Sequence, residues 1–177
     1  MNWAVNDPGL WYGVQSGLNV FDGALSVASG SDGDGPYDTL YLPVSDADRL
    51  NTDYGDLNTA EGDRVGEQGY CLAVGSGGRI SKVQQAGTVK ADEESVTFTL
   101  ANCQPIIDVD GTVHFHPSGN LKLSEQDRMT LRNSPYTYSC VQGGLVSTAS
   151  GTGAGEIMCY RFSDAGDLVN VSVRIAG

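Results

Sequence analysis

Apolar and polar positions along much of this chain alternate with a period near two, the spacing of half-buried strands. Residues 79–83 and 95–100 alternate in this way, and residues 39–44 and 112–116 read as further short strands. Residues 70–74 are an unbroken apolar run suited to a buried strand, closed by Gly75-Ser76-Gly77-Gly78. Asp110-Gly111 marks the turn before 112–116, and Pro117-Ser118-Gly119 stops that strand. Residues 136–141, 156–162 and 168–175 complete a strand-rich C-terminal half. The helical pattern is clearest over 124–132, while 46–68 is polar, irregular and only partly helical. No internal repeat is present. The pattern predicts an α+β domain with a mixed sheet.

Composition adds a boundary and several exclusions. The 177 residues include 24 Gly, close to twice the usual share of about 7%, which argues against a helical bundle. Ten Lys plus Arg against 22 Asp plus Glu give a net charge of −12, so bulk-charge binding of nucleic acid is excluded. The acid is uneven: residues 1–48 carry seven Asp and no Lys, Arg or Glu. The Gly/Ser/Asp-rich patch from Ser29 to Pro36 reads as a linker between an acidic extension, 1–36, and a main domain, 37–177. Asp32 and Asp34 in that patch lack the other ligand positions of a calcium loop. Such an acidic, lysine-poor composition resembles that of proteins from high-salt organisms.

The opening nine residues have neither a basic residue nor an apolar run, and no stretch approaches the roughly 20 apolar residues of a membrane span. The expectation is a cytoplasmic protein that does not engage a membrane. Cys71, Cys103, Cys140 and Cys159 form no CxxC pair, so a thiolate zinc site is not expected and buried free thiols are the plainest reading. Gly151-Thr152-Gly153-Ala154-Gly155 lacks the lysine of a phosphate loop and reads as a hairpin loop.

The two histidines of the protein, His114 and His116, are separated by one residue in a predicted strand. Positions i and i+2 share a face, so both imidazoles project together. Alone, that pair is more often a pair of ordinary core or surface histidines than a metal site. Seven residues later comes Ser124-Glu125-Gln126-Asp127, which by itself is a helix-capping box.

Taken together, the His-x-His, seven residues, Ser-x-x-Asp spacing resembles the signature of the JAMM (MPN+/JAB domain) zinc metallopeptidases, as does His116-Pro117-Ser118-Gly119. The resemblance covers residues 37–177 in outline and is specific mainly in 67–75 and 114–127. It implies a JAB/MPN-like mixed sheet flanked by helices, preceded here by the Gly/Asp-rich extension. It also implies Zn²⁺ ligation by His114, His116 and Asp127, with a fourth position left for water. Ser124 would bond the developing oxyanion. Glu67 would act as general base and acid, because Glu67-Gln68-Gly69-Tyr70-Cys71-Leu72-Ala73-Val74-Gly75 resembles the family's Glu-x-x-Gly-Leu-x-x-Gly stretch. Glu61, Glu93 and Glu94 are rival acids without that context. Tyr70 and Phe115 depart from the family pattern, which has small residues at the first position and small polar ones at the second. The implied activity is amide hydrolysis of a protein or peptide, with removal of ubiquitin-like modifiers as the family's theme. The alternative is an assembly component, such as a viral tail protein, that carries a JAB-like domain and uses the extension as an arm in the virion.

Overall fold

The architecture follows from which segments can bury an apolar face, and one helix shows this best. In the computed structural model, residues 10–11, 17–22, 36–59, 68–86, 88–91, 95–99, 103, 106 and 108–177 are described. The segment 46–68, expected to be only partly helical, carries most of the helix α1, Val44–Thr59. Its apolar residues are sparse, but Ala47, Leu50 and Tyr54 fall on one face and are all buried. Asn51 ties α1 to the sheet by donating to the Val146 carbonyl at 2.9 Å and accepting from the Val146 N–H at 2.7 Å.

The strands are β1 (Leu10–Trp11), β2 (Gly17–Asp22), β3 (Thr39–Pro43), β4 (Gly69–Val74), β5 (Ile80–Gln85), β6 (Thr88–Ala91) and β7 (Ser95–Thr99). They continue with β8 (Gly111–Phe115), β9 (Tyr138–Val146), β10 (Gly155–Phe162) and β11 (Leu168–Ala176), and the helix α2 is Glu125–Asn133. Seven strands form one mixed sheet in the order β3-β11-β10-β9-β8-β4-β5. A second sheet has the order β1-β2-β7-β6, so β2, from the acidic N-terminal stretch, pairs with β7. The α+β expectation is met. β6 and the two N-terminal strands were not foreseen. The hairpin reading of residues 151–155 matches the β9–β10 connection, where Ala154 N–H donates to Val173 O at 2.9 Å.

The large sheet curls until its outer strands meet, with a parallel bridge between Tyr41 of β3 and Arg79 beside β5. Both edges are thereby partly closed to further pairing. One sheet face packs Val113, Phe115, Leu72 and Val173 against α1. The other packs Val141, Tyr160 and Cys71 with Leu131, Leu123 and Tyr136 from α2 and its flanks.

The cysteine expectation is corrected. Cys71 pairs with Cys103 and Cys140 with Cys159, and no free cysteine remains. Cys140 and Cys159 lie directly opposite in the β9–β10 ladder, a proximity that linear spacing does not reveal. Cys71–Cys103 fastens the connection before β8 to β4. No described helix is long and apolar enough to cross a membrane. The linker residues 29–35, Asp32 and Asp34 among them, lie outside the described residues, as do Glu61, Glu67, Glu93 and Glu94.

Candidate metal centre

β8 and β9 are parallel neighbours, with Val113 opposite Cys140 and His114 opposite Val141. Parallel neighbours require a crossover, and α2 lies within it. A helix returning along a strand begins near that strand's C-terminal end, so the start of α2 meets the end of β8. This places Asp127, in the helix's first turn, beside His114 and His116.

Alternation along β8 sends Val113 and Phe115 to the α1 face and His114 to the α2 face. His116 follows the strand's last residue. The two Nε2 atoms are 3.0 Å apart. Asp127 Oδ2 is 3.6 Å from His114 Nε2 and 3.9 Å from His116 Nε2. A tetrahedral zinc with bonds of about 2.0–2.1 Å separates its ligand atoms by about 3.3 Å, and the three distances bracket that value. His114 and Asp127 are buried, His116 is 9% exposed, and the following residues 117–120 are exposed. The cluster is therefore open on the His116 side.

His116 and Asp127 are each oriented by a second contact. His116 Nδ1 lies 2.7 Å from the Asn120 carbonyl, which favours a proton on Nδ1 and leaves Nε2 with a lone pair toward His114. Ser124 caps α2: its Oγ accepts from Asp127 N–H at 3.1 Å and donates to Asp127 Oδ2 at 2.6 Å, while Ser124 N–H donates to the same oxygen at 2.8 Å. Burial opposes ionisation of Asp127. The neighbouring His114 and the Ser124 hydrogen bonds overcome it and bring the carboxyl down to about 2. Burial, then the charge of His114, holds the His116 imidazolium below its ordinary range. A carboxylate ionised well below neutral pH beside a readily deprotonated imidazole is a donor set suited to a divalent cation.

The structure thus brings together His114, His116, Ser124 and Asp127. Glu67 is not described, but its neighbour Gln68 accepts from Phe115 N–H at 3.3 Å, and Gly69 is opposite His114 in the β4–β8 ladder. The two departures from the family pattern prove to be one packing unit. Phe115 sits edge-on to Tyr54 at 5.3 Å and tilted against Tyr70 at 5.2 Å, all on the α1 side. Tyr70 donates to Asp53 at 2.7 Å and to Gln68 at 2.9 Å, and burial followed by the Asp53 bond raises its pKa. Tyr54 and Asn120 carried no local signal. The Gly143-Gly144 doublet inside β9 did, since glycine within a strand often marks close backbone approach.

Fold and site define an α+β protein with a buried His–His–carboxylate cluster able to hold a metal ion. No protein-family model matches the sequence, and no curated protein matches it. Among solved structures it is similar to a JAB1/MPN domain protein from Archaeoglobus fulgidus, at 16% identity and a TM-score of 0.44, over 78% of this chain and 100% of that one. It is also similar to the solution structure of a protein from Salinibacter ruber, at 12% identity and a TM-score of 0.47, over 78% of this chain and 92% of that one.

Proposed function

We propose that this chain is a zinc-dependent amide hydrolase of the JAMM type, acting on a peptide or isopeptide bond. The observation that carries the proposal is the convergence of His114 Nε2, His116 Nε2 and Asp127 Oδ2 at ligand-like separations, in the residues of the His-x-His…Ser-x-x-Asp motif. These three side chains would hold the zinc. When bound, it would supply Lewis acidity at the scissile carbonyl and acidify the attacking water.

The chain's own groups would do the rest. Glu67, next to the Gln68 that touches Phe115, would take the proton from water and return it to the leaving amine. The Ser124 hydroxyl, directed at Asp127 in this structure, would donate to the developing oxyanion. Substrate would enter past the exposed 117–120 turn, and the substrate class proposed is a small ubiquitin-like modifier joined to another protein.

The test is to purify the protein, count its zinc and offer it modifier fusions. About one zinc per chain and cleavage that Glu67→Gln abolishes without loss of zinc are expected. Protein that cannot be loaded with zinc would sink the site assignment. Undiminished cleavage by Glu67→Gln would move the base to another acid.

A further inference from the structure

His114 and His116 are held by different means. His114 lies inside β8, fixed between β4 and β9 by ladder pairing on both sides. His116 lies just past the strand, at the start of a turn whose residues 117–120 are exposed. Its ring is steered by Asn120 at the far end of that turn, 2.7 Å from Nδ1. The orientation of Nε2 therefore depends on where the whole turn sits.

Three contacts seat the turn. His116 N–H donates to Gln142 O at 2.8 Å, and Gly119 N–H closes the turn onto His116 O at 3.0 Å. Gly119, at φ +79°, rests on Gly143 so closely that a Cβ on Gly143 would stand 2.9 Å from Gly119 backbone atoms. From the opposite sheet face, Tyr54 of α1 donates to Gly143 O at 2.8 Å and reaches His116 O at 3.4 Å. One buried hydroxyl thus touches both the strand that receives the turn and the backbone of the histidine that begins it.

We propose that Tyr54 is a positioning residue for the metal centre: it seats the 116–119 turn on Gly143 and so sets the His116 imidazole. This rests on the reading of His116 as a zinc ligand. Tyr54 does for His116 what ladder pairing does for His114, and it acts from the face that also carries the Phe115 ring contact. Its role is tied to the hydroxyl, because the ring packs on Phe115 while the O–H donates to Gly143 O and reaches His116 O.

The experiment compares Tyr54→Phe and Tyr70→Phe with the parent protein. Both remove one buried hydroxyl from the same aromatic group, but the Tyr70 hydroxyl meets Asp53 and Gln68 instead of the turn. Ring ¹⁵N shifts of His116 in metal-free protein report the tautomer, and competition with a chromophoric chelator reports zinc affinity. Tyr54→Phe is expected to replace the Nδ1-protonated form by a tautomer mixture and to weaken zinc roughly 10-fold or more, the usual effect of losing an outer-shell partner. Tyr70→Phe is expected to match the parent in both. Should Tyr54→Phe not fold, Gly143→Ala, which presses on Gly119, is expected to give the same two changes. Parent-like tautomer and affinity in the folded variant tested would overturn the proposal, as would equal zinc loss in Tyr54→Phe and Tyr70→Phe. A parent protein that takes no zinc would remove the metal reading, while the tautomer measurement would still decide whether Tyr54 positions His116.

Discussion

Ser124 and Asp127 hold each other reciprocally: the serine oxygen accepts from the Asp127 N–H at 3.1 Å and donates to Asp127 Oδ2 at 2.6 Å. That same oxygen faces both histidines. One capping box therefore both starts α2 and aims a carboxylate into the cluster. Structural and chemical duties fall on the same pair of side chains.

Ser124→Ala is expected to cost about 0.5–2 kcal/mol through the lost cap and to weaken zinc by about 10–100-fold. Asp127→Ala removes a ligand and should abolish stoichiometric zinc. Urea denaturation and metal analysis check both; Asp127→Ala protein that still carries one zinc per chain would contradict the ligand set.

Acid should act in two ranges. The folded His116 has a pKa below its ordinary 6.5, so below that pH the unfolded chain takes up a proton first. Stability should therefore fall as pH drops below 6.5, and zinc should be released over the same range by proton competition. Asp127 is depressed from 3.8 to about 2, so its contribution is present above 3.8 and disappears only as pH falls toward 2. Urea titrations of metal-free parent and His116→Gln proteins test this: the variant should lose the first decline and keep the second. Superimposable pH profiles would refute the assignment.

Phe115→Ala should destabilise the metal-free protein by about 3–5 kcal/mol, because the ring fills the space between Tyr54 and Tyr70. The urea midpoint is the measurement. A change near zero would show that the three rings do not pack as one unit.

The two disulfides close sequence separations of 32 and 19 residues. Chain-entropy arithmetic assigns each about 3–4 kcal/mol. Thiol titration of unreduced, denatured protein should find no free thiol, and reductant should lower the urea midpoint markedly. Four titratable thiols would contradict the pairing.

Element by element, the sequence was most informative where structure is local. The period-two segments 79–83 and 95–100 became β5 and β7, the short strands read at 39–44 and 112–116 became β3 and β8, and Ser124 caps α2 where the Ser-x-x-Asp pattern predicted. The i, i+2 rule placed both histidines together, and short-range geometry suffices for that. α1 was harder, because Ala47, Leu50 and Tyr54, the buried residues among those described in it, are diluted by Asp, Asn, Thr and Gly, and its helicity comes from packing on the sheet.

What the sequence by itself determined, then, is the strands of the seven-stranded sheet, the start of α2 and the three residues that could ligate a metal ion. Only the tertiary structure decided their assembly. Asp127 reaches the histidines because β8 and β9 are parallel and α2 must cross between them. Cys140 meets Cys159 because ladder register puts them opposite. Tyr54 meets Gly143 and His116 across 89 and 62 residues of chain, a closeness that no linear pattern encodes. The physical reason is the same in each case. Side-chain direction is a local property of the backbone, whereas partner choice is set by which faces are buried together.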